Sequence, residues 1–358
     1  MNILIVDFEF PEPDRASGGR RLYHIVKILR EAGHELAFLS LDHWQLWKRQ
    51  EDCYETALNE LGVKTYREGW SLESGGAEFI AAFCPDVAIL SKHYMANRLS
   101  NYLRQTNPMC KQIFDTVDVH YLRERRAGSG DWSKTRDAEF TACETADRTW
   151  TVTDKDKVTI QNDYLPSLDI EVVPNIHEAN FDSAGFTDRS DVVFVGNYVH
   201  EPNGDALEWM RTSILPLFIN MEKEHRFRAV GPHENLLPLA VLQSMSIMGY
   251  VEDLDGLLQR TRVGVAPLRY GAGMKGKIGS YMENGLPVLT SSIGAEGMNL
   301  TDGENARIVD DPVKFAEVMA ELCRDEQQWN HLSKNGLEKV SEWGIDKMRV
   351  VIDRAISF

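Results

Sequence analysis

Between Val263 and Ile278 the chain reads Val-Gly-Val-Ala-Pro-Leu-Arg-Tyr-Gly-Ala-Gly-Met-Lys-Gly-Lys-Ile, and these residue types point to an anion. An apolar strand ends at Pro267, a turn of Gly271, Ala272, Gly273 and Gly276 follows, and a helix is predicted to begin near Lys275. Glycines let backbone N–H groups approach an anion closely, and a helix start adds unpaired donors and partial positive charge. Lys275 and Lys277 supply two full charges. A unit charge pair about 4 Å apart is worth about 4 kcal/mol at an effective dielectric of about 20. Such a loop can hold a diphosphate without a metal. The competing reading is a tight strand–helix turn with solvated lysines, since a cation at a helix start opposes the dipole. Position favours the anion, because open α/β sheets bind ligands beyond the carboxyl ends of their strands.

Other polar residues follow predicted strands in the same way. Asp118 and His120 lie just after Gln112–Phe114; on a helix they would not share a face, but in a loop they could converge. Either could act as a general base. Ser17, Gly18, Gly19 and Arg20, with Arg15 and Arg21, form a second glycine loop with cations, suited to a phosphate or an anionic acceptor. Gly196, Asn197, His200 and Asn203 follow the strand Val192–Val195, and Glu296 sits in a glycine-flanked turn after Pro287–Thr290. Asp253-Leu-Asp255 imitates a metal-binding pair, but it opens a predicted helix, where Asp serves as a cap. The turn after Ile3–Val6 lacks Gly-x-Gly-x-x-Gly, which argues against a dinucleotide-dependent dehydrogenase.

Composition narrows the partners. The net charge is −16, from 39 basic and 55 acidic side chains, which repels a phosphate backbone and argues against nucleic-acid binding. Five scattered cysteines without a Cys-x-x-Cys pair argue for reduced thiols and a cytoplasmic protein, with no structural metal. No apolar run reaches the length of a membrane span, and the start Met-Asn-Ile-Leu-Ile-Val goes straight into a strand.

The elements that must position these residues are legible from periodicity. Short apolar runs are predicted as strands at Ile3–Val6, Glu35–Leu41, Val63–Tyr66, Val87–Leu90, Gln112–Phe114, Arg148–Val152 and Ile170–Val173. A second series covers Val192–Val195, Arg226–Val230, Ser246–Met248, Val263–Pro267, Pro287–Thr290 and Arg307–Val309. Helical stretches alternate with them; Leu22, Ile25, Val26 and Leu29 recur at helical spacing until Gly33. This is an α/β chain with two doubly wound, Rossmann-like parallel sheets, expected to face each other across a cleft. The expected division is a first domain at 1–175, a linker at 176–190, a second domain at 191–340, and a final helix at 341–358 packing back on the first domain. Trp44, Trp47 and Trp70 are expected in the core, with an acceptor-facing role as the alternative.

Pro267-Leu-Arg-Tyr-Gly-Ala-Gly-Met-Lys-Gly-Lys277, then Glu283-Asn-Gly-Leu-Pro-Val-Leu-Thr290 and Gly294-Ala-Glu-Gly-Met298, resemble the donor domain of GT-B glycosyltransferases. The resemblance is to the retaining family described as glycosyl transferases group 1. Phe194–Ala206 is similar to the first strand and turn of that domain, Val172-Val-Pro-Asn175 with Phe181 to the interdomain connection, and Pro11–Arg21 to the amino-terminal glycine loop. One departure stands out. The family usually carries two glutamates around the loop; aligned on Gly285-Leu-Pro-Val, their places are held by Ala272 and Ser280. Ser280 can still donate a hydrogen bond, and Glu283 lies on nearly the same helix face.

The resemblance implies a metal-independent transfer, with retention, from a UDP-, GDP- or dTDP-linked sugar to a glycan or lipid-linked glycan. It implies a diphosphate at Gly271, Ala272, Gly273, Lys275 and Lys277. Nucleotide and sugar would meet Gly196, Asn197, His200, Asn203, Val251, Ser280, Glu283 and Glu296. His120, with Asp118, would stand near the transferred sugar, and Ser17–Arg20 near the acceptor. No cofactor is implied beyond the nucleotide sugar as co-substrate, and peripheral contact with the inner face of a membrane is compatible with a lipid-linked acceptor. The rival readings are a sugar-nucleotide epimerase or hydrolase on the same fold, and a non-catalytic binding subunit.

Overall fold

The computed structural model describes every residue except 43–51, 70, 71, 73, 74 and 129, so Trp44, Trp47 and Trp70 lie outside the described residues. The chain divides into two compact units, one made of Met1–Pro13, Gly18–Asn175 and Ile345–Phe358, the other of Asp14–Ser17 and Ile176–Gly344.

In the first unit strands and helices alternate: β1 (Asn2–Asp7), α1 (Ser17–Glu31), β2 (Glu35–Asp42), α2 (Asp52–Glu60), β3 (Lys64–Gly69), α3 (Gly76–Phe83) and β4 (Val87–Ser91). The series continues with α4 (Lys92–Thr106), β5 (Lys111–Asp115), α5 (His120–Ala127), α6 (Trp132–Thr145), β6 (Arg148–Thr151), α7 (Asp154–Asp163) and β7 (Ile170–Val172). The strands form one parallel sheet in the order β3-β2-β1-β4-β5-β6-β7. Its centre is β1 and β4, whose apolar side chains are wholly buried, as expected of strands covered on both faces. Helix α1 ends where the spacing predicts, at Gly33, whose φ of 84° is a left-handed conformation that glycine adopts without strain.

The second unit begins with β8 (Ser190–Val195), α8 (Glu201–Trp209), α9 (Leu215–Met221), β9 (Phe227–Val230), α10 (Leu239–Ser244), β10 (Ser246–Ile247) and α11 (Leu254–Gln259). It goes on through β11 (Thr261–Ala266), α12 (Gly276–Glu283), β12 (Val288–Thr290), α13 (Ser292–Ala295), β13 (Arg307–Ile308), α14 (Pro312–Arg324) and α15 (Glu326–Val340). Its parallel sheet runs β10-β9-β8-β11-β12-β13. Within the expected linker at 176–190, His177 bridges to Gly344, and a single 3₁₀ turn at Phe186–Asp188 leads into β8. The last helix, α16 (Ile345–Ile356), groups with the first unit; there Arg148 donates to the Ala355 and Ser357 carbonyls at 3.1 and 2.6 Å, and Trp150 Nε1 donates to Ala355 at 3.3 Å.

The Asp253 carboxylate accepts the Gly256 N–H at 2.8 Å, capping α11 as expected of a residue that opens a helix. All five cysteines are thiols; burial pushes Cys110, Cys143 and Cys323 up to about 12, so they stay protonated and inert. Among the described residues no helix is long and apolar enough to cross a membrane.

Candidate functional site

Each sheet reverses its strand order at one place, between β1 and β4 in the first unit and between β8 and β11 in the second. Loops that leave neighbouring strands toward opposite sides open a crevice there, where such sheets bind ligands. The residues with chemistry collect at both places.

In the second unit Gly271–Lys277 emerges from β11 beside the end of β8. Two glycines let the neighbouring segments pack close. Tyr281 on α12 accepts the Val195 N–H at 2.7 Å and donates to the Val265 carbonyl at 3.2 Å, and its ring fills the space over Gly264, where an added Cβ would lie 2.5 Å from it. At Gly231, with φ 148°, a Cβ would stand 1.9 Å from the Gly196 carbonyl oxygen.

The two lysines of the loop do different things. Lys275, the residue before α12, is buried and turns its ammonium onto the loop itself, donating to the Ala272 and Gly273 carbonyls at 2.9 and 2.7 Å. In a trans peptide the C=O and N–H point in opposite directions. The N–H groups of Gly273 and Met274 therefore face away from Lys275. Lys277 lies over the Phe194 ring at 4.0 Å and donates to Asn203 Oδ1 at 2.6 Å. Burial, and then the neighbouring Lys275, lower its pKa to about 7. Asn203 in turn donates to the Asn197 carbonyl at 2.7 Å, so it joins the turn after β8 to the lysine rather than serving the turn alone.

Around this core, Asn197 Oδ1 faces His233 Nδ1 at 3.1 Å, His200 is exposed at the N-terminus of α8, and Val251 is partly exposed beyond β10. Glu296 ends α13, whose Gly294 packs against Thr290 so closely that a Cβ would sit 2.0 Å from the hydroxyl. Ser280 is partly buried on α12, and its carbonyl accepts from Asn284 at 3.0 Å. Glu283, expected beside the nucleotide, is placed otherwise. It is 1% exposed, and its Oε1 accepts the Glu178 N–H at 2.7 Å and lies 3.0 Å from His177 Nδ1. Its carboxylate holds the segment leading into the second unit.

In the first unit the residues after β4 form a polar group that the sequence reading missed. Lys92 pairs with Asp7, at the end of β1, at 2.6 Å, and Tyr94 meets Phe8 with ring centroids 4.7 Å apart. The His93 and Tyr94 rings meet His120 edge to face, at 5.3 and 6.2 Å. Asp118 pairs with Arg123 on α5, while His120 opens α5 and places Nδ1 3.0 Å from Glu139 Oε1. Glu139, on α6 and 4% exposed, also accepts the His120 and Tyr121 N–H groups at 2.9 and 3.1 Å. Burial, and then His120 beside it, push His93 down to about 4 and keep it neutral. His93, His120 and Glu139 are the one group among the described residues whose ligand atoms could together hold a metal, all lying within 4.8 Å of one another.

The amino-terminal glycine loop is tighter than a free anion cradle. A Cβ on Gly19 would lie 2.7 Å from the Glu12 backbone, and one on Gly18 3.4 Å from Val117. Ser17 and Arg20 lie in the first turn of α1, Ser17 exposed and Arg20 partly buried. Arg21, weighed as a phosphate contact, is 1% exposed and instead pairs with Asp115 at 2.7 and 3.1 Å and donates to the Val173 carbonyl.

Comparison with known proteins agrees with this architecture. Residues 189–325 match the family described as glycosyl transferases group 1. A 44.6 kDa protein of the cps region of Klebsiella pneumoniae is 24% identical over 189 residues, 50% of this chain and 47% of that protein, so the match spans about half of each. The structure of S. aureus TarM in complex with fondaparinux, alpha-GlcNAc-glycerol and UDP superposes with a TM-score of 0.77 at 11% identity, covering 100% of both chains. That of Anabaena HepE in complex with UDP-glucose superposes with a TM-score of 0.75 at 11% identity, covering 99% of this chain and 98% of the other. Residues 189–325 thus match the glycosyl transferases group 1 family, and the chain as a whole has the GT-B fold.

Proposed function

We propose that the chain moves a sugar from a nucleotide-diphosphate sugar to a hydroxyl of a glycan or lipid-linked glycan, with retention and without a metal. The observation that carries this reading is Gly271–Lys277, a lysine-bearing loop at the reversal point of a sheet whose residues match a glycosyltransferase family. As the glycosidic bond breaks, the departing diphosphate gathers negative charge. Outward N–H groups at Gly273 and Met274, a loop braced by Lys275, and the Lys277 ammonium would stabilise it more in the transition state than in the ground state. Donor nucleotide and sugar would lie along Gly196, Asn197, His200, Asn203, Val251, Ser280 and Glu296. His120 would face the reacting sugar or its acceptor, with Ser17–Arg20 on the acceptor side. The relative from a cps region fits a role in assembling a surface polysaccharide.

Because the TarM and HepE structures hold UDP or UDP-glucose, UDP is the first nucleotide to test. Calorimetry against UDP, GDP and dTDP should give one clear binder. Lys277→Ala should weaken it about 10- to 100-fold, as expected on losing a hydrogen bond to a charged group. Lys275→Ala should weaken it by loosening the loop. Unchanged affinity and transfer in both variants would place the diphosphate elsewhere, and failure of all three nucleotides to bind would favour a non-catalytic subunit. Incubation with donor alone separates transfer from hydrolysis or epimerisation.

A further inference from the structure

The polar group at the end of β4 contains a carboxylate for which the proposed transfer has so far no use. Glu139 reaches from α6 to the start of α5 and meets three donors there, the His120 and Tyr121 N–H groups and the His120 ring at Nδ1. We propose that Glu139 is a positioning residue that fixes His120 with its proton on Nδ1, leaving Nε2 as a lone-pair acceptor for a substrate hydroxyl.

Hydrogen-bond capacity decides which ring nitrogen carries the proton. An ionised carboxylate only accepts, so at 3.0 Å from Nδ1 it requires the hydrogen to be on that nitrogen. Which nitrogen of a neutral imidazole carries the proton is set by the partner of the other. The same carboxylate caps two backbone donors of α5, so the start of the helix cannot shift without breaking both, and the ring cannot turn without breaking a third. The ring is further held from the side by His93 and Tyr94. Nε2 is the ring nitrogen that Glu139 does not engage.

A lone pair on that nitrogen selects among partners. It accepts from an O–H and offers nothing to an ionised phosphate oxygen, which has no proton to give. His120 is thereby matched to a hydroxyl, of the sugar or of the acceptor, and not to the diphosphate. This rests on the transferase reading for the identity of the hydroxyl; the clamp itself does not.

The test has a readout that does not depend on turnover. In the full-length protein labelled with ¹⁵N-histidine, long-range ¹H–¹⁵N correlation distinguishes the two tautomers, and His120→Ala assigns the signal by removing it. Wild type should show Nδ1–H; Nε2–H in wild type overturns the proposal. Glu139→Ala should move His120 toward Nε2–H and lower kcat roughly tenfold or more while donor KM changes little, the pattern of a contact made mainly in the transition state. Glu139→Gln, which retains one capping oxygen, should fall between and serves if the alanine variant does not fold. Adding Glu139→Ala to His120→Ala should cost no further activity, because coupled residues are not additive; additive losses would reduce Glu139 to a helix cap and overturn the proposal. Stoichiometric uptake of zinc with loss of the Nδ1–H signal would also overturn it, by making the trio a metal site. If wild type shows the expected tautomer but transfers no sugar, the clamp stands and the transferase reading fails.

Discussion

Lys277 is where the chemistry of a single side chain has the widest reach. Its pKa, lowered to about 7 by burial and by Lys275, means that near neutral pH the free protein holds it partly uncharged. An arriving diphosphate favours the ammonium, so binding should draw in a proton. Above pH 7 the affinity for a nucleoside diphosphate should fall by up to about tenfold per pH unit. Lys277→Arg, always charged, should flatten that slope, and calorimetry in buffers of different ionisation heat would count the proton. The sign for stability follows from the same shift. The folded pKa is below the unfolded value, so the cost of burying the ammonium is fully present below about pH 7 and fades as the pH rises toward the unfolded value. Lys277→Met should therefore raise the melting temperature more at pH 6 than at pH 9 while weakening nucleotide binding. A melting temperature that falls at pH 6 would show that the lysine is held by contacts worth more than its desolvation.

At the scale of elements, α12 is set against the sheet by one phenol. Tyr281→Phe removes the acceptor of the Val195 N–H and the donor to Val265, leaving buried backbone groups unsatisfied at about 1–3 kcal/mol. Denaturant unfolding should record that loss, with nucleotide affinity falling as the loop ahead of the helix shifts. Gly264→Val should cost more, since the new side chain would overlap the Tyr281 ring. These strands and their order of alternation were legible because β1, β4, β8 and β11 are buried on both faces and read as unbroken apolar runs. The glycine loop was legible for the same reason, being the turn that must follow such a strand. The direction of the Lys275 side chain was not, because it depends on where the Ala272 and Gly273 carbonyls point. Glu139 left no local trace, since it lies 19 residues from His120 on another helix. Lys92, His93 and Tyr94 did leave one: they directly follow a central strand, as the glycine loop follows β11.

Across the whole molecule the chain interrupts one unit to build the other. The first unit contains Met1–Pro13, Gly18–Asn175 and Ile345–Phe358, and α16 is stitched into it by Arg148, by Trp150, by Arg354 with Glu171 at 2.8 Å, and by the Arg349–Glu31 pair. Removing Ile345–Phe358 uncovers the fully buried Trp150 and Ile28 and Leu29 on α1, which lie with Ile352 and Ile356 around one pocket. Hydrogen exchange on the truncated chain should show β6, β7 and α1 losing protection while β8 and β11 keep theirs. Equal loss in both units would mean that they unfold together.

That stitching sets an order of events on the ribosome. The polypeptide through Gly344 contains all of the second unit, whereas the first still lacks α16. The first unit, although begun earlier, lacks its closing helix until Ile345–Phe358 has been made, and until then the apolar residues that the helix covers, Ile28 and Leu29 among them, stay open to water.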